Sequence, residues 1–186
     1  MPQRKLLLDS NAYFRLAQSV RPLLGVEFGA DCICLYVITD LQREFDRSSR
    51  LQNRFPWVDT PEYVENRRRA ISVSRKQGKQ IDLAISVIDG HARVSGLGTS
   101  PVDVRALATA SVLGVTLVSD DIDLLELARA FGVVHLRTLE LLHLMTEVGH
   151  RSHEQVRAIA AYWRASSDIP ADYKADWRRL FDTDPP

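Results

Sequence analysis

The segment Val115-Thr116-Leu117-Val118-Ser119-Asp120-Asp121-Ile122-Asp123-Leu124 decides how this chain is read. Its first four residues are aliphatic or β-branched without polar alternation, as in a strand buried on both faces. An acidic turn follows at once, and from Ile122 the pattern becomes helical up to Gly132. A strand handing over to a helix in this way is half of a βα unit, and such units build parallel sheets.

The same grammar recurs on either side. Short strands are expected at Lys5–Leu8, 32–37 and 133–136 as well as 115–118. Tyr13, Leu16, Ala17 and Val20 repeat at helical spacing behind Ser10, a plausible cap. Val37, Ile38, Leu41 and Phe45 define a second helix, and Pro61 opens a third running to about Gly78. The apolar run 81–88 is read as helix. Ser100-Pro101-Val102-Asp103 opens another, which carries Val104, Leu107 and Ala108 inward and ends at Gly114. Beyond His135 the pattern is helical throughout, with Ser152 capping a helix whose inner face is Val156, Ile159, Ala160 and Trp163. Trp177 and Phe181 follow after Pro170. The expectation is an α/β protein with three αβα layers, its central parallel sheet of four to five strands flanked by helices. Residues 1–150 would form the main domain and 151–186 a C-terminal helical extension packed on it.

Composition sets the bounds. With 186 residues, 45% of them apolar and 26% charged, one domain can bury a sizeable core. Lys plus Arg (24) balance Asp plus Glu (24), so net charge neither favours nor opposes a nucleic-acid partner. No apolar run suits a secretory leader or a membrane span, which points to the cytoplasm and no membrane partner. Cys32 and Cys34 alternate along the second strand and are read as small buried hydrophobes in a reducing compartment.

In open parallel sheets, ligands sit beyond the carboxyl ends of the strands, and acids cluster there in this sequence. Leu8 runs into Asp9, Val118-Ser119 runs into Asp120 and Asp121 with Asp123 close behind, and strand 32–37 leads to the helix bearing Glu44. Glu44 lies beside Phe45 and three residues after Leu41, either directed towards the core or on its solvated border. Asp103 fits a capping box at the start of its helix, and Asp9, Asp120 or Asp121 can each cap a helix too. Crowded carboxylates raise one another's pKa unless a cation compensates. Oxygen donors alone suit Mg²⁺ or Mn²⁺, which orient and activate water at a phosphate without a Ser, His or Cys nucleophile.

These blocks resemble the PIN-domain family. They are Leu6-Leu7-Leu8-Asp9-Ser10-Asn11; Val37 to Glu44; Ser100-Pro101-Val102-Asp103 to Ala110; and Val115 to Leu124, in the family's order. The resemblance implies a Mg²⁺- or Mn²⁺-dependent endoribonuclease with Asp9, Glu44, Asp103 and Asp121 as catalytic acids and metal ligands. It also implies that Asp123 joins the metal site and that Asn11 and Ser119 support it. Many bacterial members are VapC-type toxins, so the implied partners are RNA, an antitoxin protein and a second copy of the chain. The alternative is a catalytically silent PIN fold that binds RNA or a partner. The chain departs from a minimal toxin in its enlarged middle, 47–98, and its helical tail.

Arg68, Arg75 and Lys79 follow one stripe if 61–78 is a single helix. That stripe is either an RNA-backbone contact or an ordinary solvated face. Phe55, Trp57 and Tyr63 offer either core packing or stacking surfaces. His150 and His153 straddle a helix boundary and have no Cys nearby, which argues against a zinc site.

Overall fold

The computed structural model describes residues 3–186. In chain order the elements are β1 (Lys5–Leu8), α1 (Ser10–Ala17), β2 (Glu27–Phe28), β3 (Ile33–Tyr36), α2 (Asp40–Arg47) and α3 (Ser49–Arg54). A 3₁₀ turn, Pro56–Asp59, precedes α4 (Pro61–Arg67), α5 (Arg75–Ser95), α6 (Pro101–Leu113), β4 (Thr116–Val118) and α7 (Ile122–Ala130). The chain closes with β5 (His135–Leu136), α8 (Thr138–Glu147), α9 (His153–Ala165) and α10 (Tyr173–Phe181).

The strands form one sheet in the order β2-β3-β1-β4-β5. β1 lies in the middle and pairs in parallel with β3 (Leu6 opposite Leu35) and with β4 (Leu7 opposite Leu117). β5 continues the parallel set beside β4. The fifth strand corrects the all-parallel expectation, because β2 pairs antiparallel with β3 at the edge. Two residues are too few to show a period, so this strand leaves no sequence signal.

Pleating sorts β1 between two cores. Leu6 and Leu8 join one face with Tyr13, Phe14, Leu41, Phe45, Leu142 and the tail residues. Leu7 joins the other face with Ile81, Ile88, Val104, Leu107, Leu117 and Leu124. Helices therefore cover both faces of the sheet, and all three leucines of β1 are essentially inaccessible. No helix among the described residues is long and apolar enough to cross a membrane.

Three local expectations need correction. The helix opened by Pro61 stops at Arg67, not near Gly78. Residues 68–74 break away, with Ile71 buried and its N–H bonded to the Val37 carbonyl (2.9 Å). Ser74 then starts α5 with a full capping box to Gln77, so Gly78 sits inside the first turns of a new helix. Cys32 lies before β3 with a left-handed φ of 48°, so only Cys34 of the pair is a buried strand residue. Finally, α2 begins at Asp40, after Val37 and Ile38.

The C-terminal helices share the main core. Trp163 and Trp177 are both completely buried, and Trp163 Nε1 donates to the Arg15 carbonyl (3.1 Å). Trp163→Ala should therefore cost about 3–5 kcal/mol, readable as a lowered urea midpoint. A loss near zero would mean that the tail does not contribute to the fold. His150 stacks on Phe28, and His153 faces Trp177 and Phe181.

Candidate active site

Asp9 is the residue from which the site is built. Its N–H donates to the Val118 carbonyl (3.0 Å), which extends the β1–β4 ladder by one step and fixes the side chain at the carboxyl edge of the sheet. The carboxylate is 1% exposed. Oδ1 accepts from Ala12 N–H (2.6 Å), so Asp9 itself caps α1 and Ser10 does not. Oδ2 accepts from the Ser119 hydroxyl. Burial, opposed by these hydrogen bonds and reinforced by the charges of Asp103 and Asp120, raises the Asp9 pKa to about 7.

Freed from capping, Ser10 donates its hydroxyl to Glu44 (2.5 Å) across the gap between α1 and α2. Glu44 is half-buried, and its pKa is raised by burial and by the charge of Asp103. The core-directed reading of Glu44 is therefore closer to the structure than the solvated one.

Asp103 combines both readings given to it. It completes the capping box of α6, its Oδ2 accepting from Ser100 N–H (3.2 Å) and the Ser100 hydroxyl (2.7 Å). It is also buried, and its pKa is raised by burial and by the charge of Asp121. The capping role uses Oδ2, and Oδ1 accepts no hydrogen bond from the described residues.

The final turn divides its acids. Ser119 Oγ accepts from Asp121 N–H (3.0 Å) while donating to Asp9, so one hydroxyl ties the two strand ends together. Asp121 caps α7 through Oδ1 to Leu124 N–H (2.8 Å). Asp120, expected to cap α7 or face solvent, points the other way. It accepts from Thr138 N–H (3.0 Å) and the Thr138 hydroxyl (2.5 Å), and is paired with Arg15. Alternation along extended backbone separates these neighbours, but it sends Asp120 inward and leaves the cap to Asp121. Asp123 Oδ2 accepts from Gly98 N–H (2.7 Å) in the loop that leads to Ser100 and α6. Asn11 is exposed on the first turn of α1.

Asp103 links the four blocks: its charge is felt at Asp9 and at Glu44, and it feels the charge of Asp121. As placed, however, no three His, Cys, Asp or Glu side chains among the described residues are grouped to hold a metal ion. The donor set is all oxygen, and Glu44 Oε1, Asp103 Oδ1 and Asp121 Oδ2 accept no hydrogen bond from the described residues. An all-oxygen donor set is the kind that hard cations take.

Ser119, expected as a support, and Ser100, expected in the Asp103 capping box, do hold those acids, whereas the roles of Ser10, Arg15 and Thr138 were not foreseen. Ser10 and Ser100 were visible as neighbours of Asp9 and Asp103. Arg15 and Thr138 carry no local signal, because each meets Asp120 from more than 15 residues away. The cationic stripe does not exist as one helix face. Arg68 ends α4 and pairs with Glu65 (2.8 Å), while only Arg75 and Lys79 share α5. Phe55 stacks on Phe14 and Trp57 meets Tyr63, both at the border of the core.

One consequence is measurable without any ligand. The folded Asp9 keeps a proton that the unfolded chain has already released above its ordinary pKa of 3.8. Its contribution to stability is therefore intact below pH 3.8 and is lost as pH rises towards 7. In metal-free buffer, the difference in thermal midpoint between wild type and Asp9→Asn should widen across that window. A pH-independent difference would contradict the buried, raised carboxyl.

No protein-family model matches the chain, and no curated protein matches it significantly.

Proposed function

We propose that the acids at the carboxyl edge of the sheet hold Mg²⁺ or Mn²⁺ and that the protein is an endoribonuclease, a hydrolase of RNA phosphodiester bonds. The observation that carries this reading is the meeting of acids from four sequence blocks at Asp103, whose charge is felt at the buried Asp9 and at Glu44 and which itself feels that of Asp121. Isolated carboxylates crowded in this way oppose their own ionisation, and a divalent cation removes that opposition.

Asp9 would be the fixed ligand, clamped by Ala12 N–H and Ser119. Glu44, Asp103 and Asp121 each have an oxygen to turn towards the ion. When bound, the ion supplies neutralisation of phosphate charge and a water of lowered pKa. Ser10, Ser100 and Ser119 orient the carboxylates, and exposed Asn11 stands beside Asp9 where a substrate phosphate would approach. Arg75 and Lys79, one turn apart at the start of α5, are the cations proposed to meet the RNA backbone. Arg68, already paired with Glu65, contributes less.

A PIN-like toxin role, with an antitoxin as partner, rests on the four sequence blocks alone. Co-purification with the product of an adjacent gene would test it. The silent RNA- or partner-binding alternative draws support from one observation, the spacing of the acids beyond shared coordination as placed. The two readings separate in one experiment. Titrating Mn²⁺ into metal-free protein should raise the thermal midpoint of wild type, and Glu44→Gln should gain clearly less. An equal gain, or none in either protein, would favour the silent fold.

A further inference from the structure

A second concave site lies away from the acids. It opens between the end of α1 and the outer face of α9, has a volume of about 510 Å³, and is lined by Gln18, Ser19, Arg21 and Arg151 together with one face of α9. Because α1 has eight residues, its two ends are about 12 Å apart, which puts the cleft at the opposite end of that helix from Asp9.

The chemistry of the cleft is cationic. Among the described residues, no carboxylate pairs with Arg151, and its Nε is buried without a hydrogen-bond partner. Its charge is felt next door at His150, whose pKa is lowered by burial and then by this cation. Arg21 turns Nε to the Gln18 carbonyl (3.1 Å) and reaches Glu62 only at 3.9 Å. Gln155 uses Oε1 to receive Ser152 N–H (2.9 Å), so its amide NH₂ remains to donate. The Ser19 hydroxyl lines the same space. The α9 side also carries apolar surface. It is made by Ile159 and by the ring of Tyr162, which is about half exposed and is held by its hydroxyl donating to Gln18 Oε1 (2.8 Å).

We propose that this cleft binds a phosphate group carried by a ligand of mononucleotide size, the phosphate on Arg151 and Arg21 and a flat apolar body on Tyr162 and Ile159. Two guanidiniums with a hydroxyl and an amide match a phosphate's acceptors. The volume falls within the range of small-molecule sites. No described residue pairs with the Arg151 guanidinium, and a phosphate in the cleft would supply its counter-charge. The phosphate can arrive on a free nucleotide or at the end of an RNA strand.

The test is calorimetric titration of the full chain in phosphate-free buffer containing EDTA, so that the acidic cluster takes no part. The probes are AMP, adenosine, inorganic phosphate and a short single-stranded oligoribonucleotide with a terminal phosphate. AMP should bind saturably and adenosine at least tenfold more weakly, and inorganic phosphate should compete with AMP. Arg151→Gln should weaken AMP roughly tenfold or more. An oligoribonucleotide that outcompetes AMP and shows the same loss in Arg151→Gln identifies the source as RNA; one that does not identifies it as a free nucleotide. If Arg151→Gln is unfolded by circular dichroism, Arg21→Gln at the rim of the cleft gives the same comparison. The proposal is overturned if wild type binds neither AMP nor the oligoribonucleotide. It is equally overturned if adenosine binds as tightly as AMP, or if a folded arginine variant binds like wild type.

Discussion

Asp9→Asn should abolish RNA cleavage and at the same time make the metal-free protein more stable at neutral pH. Both effects come from one carboxyl group. Asn keeps the acceptor for Ala12 N–H and can donate to Ser119 Oγ, so the local hydrogen bonds survive the change. What disappears is a buried charge whose pKa is raised from 3.8 to about 7. That charge costs stability on the order of a few kcal/mol at pH 7, a gain of roughly 5–10 °C for the variant at this chain length. Cleavage should fall by about 10³-fold or more, since a proposed ligand contributes several kcal/mol of charge stabilisation at the phosphate. A variant that is both less stable and still active would remove Asp9 from the centre of the site.

The second large effect separates neighbours in the acidic turn. Asp120→Asn should destabilise the protein by about 3 kcal/mol, the low end for breaking a buried ion pair, because Arg15 retains its contact with Asp168 (3.3 Å). Arg15 and Asp120 are about one-tenth exposed, so little solvent screening softens the loss. Asn keeps one oxygen for Thr138 N–H, but the second oxygen, which accepts both the Thr138 hydroxyl and Arg15, is replaced by a donor. Asp121→Asn should do the reverse. Asn still caps α7, so stability changes by less than about 1 kcal/mol, while cleavage is lost. Comparing urea midpoints and cleavage rates of the two variants decides the register. An active Asp121→Asn and a stable but inactive Asp120→Asn would reverse the two assignments.

The layers of the fold were legible because β1, β3 and β4 are short aliphatic runs, each followed by a helix with a readable period. Leu6, Leu7 and Leu8 are buried on both sides, as their unbroken apolarity requires. β2 was invisible because two residues carry no pattern. The break after Arg67 was missed for a different reason. Ser74 and Gln77 spell a capping box, but the preceding charges looked continuous with α4, and only the bond from Ile71 to Val37 makes the gap necessary. That break also removed the single stripe that linked Arg68 to Arg75 and Lys79.

At the acidic edge, Asp9, Glu44, Asp103 and Asp121 could be selected from strand ends and helix starts, since position on the sheet follows from topology. The long-range partners of Asp120 and Asp123 could not. Which of Asp120 and Asp121 turns inward depends on Arg15 and Thr138, brought there by α1 and α8. Asp123 looked equivalent to them in sequence, yet Gly98 claims it. Side-chain commitments of this kind are long-range and leave no mark within ten residues of the acid itself.

The most direct measurement is cleavage of an end-labelled single-stranded RNA by the purified chain, with Mn²⁺, with Mg²⁺ and after exhaustive chelation, alongside Glu44→Gln. Glu44 is suited to this because it is half-buried and held by a single hydrogen bond from Ser10, so its amide variant should fold. Cleavage that requires the divalent ion and disappears in Glu44→Gln is the predicted result. Cleavage that persists in the chelator, or that Glu44→Gln supports at the wild-type rate, would contradict a metal-dependent acidic centre at the edge of this sheet.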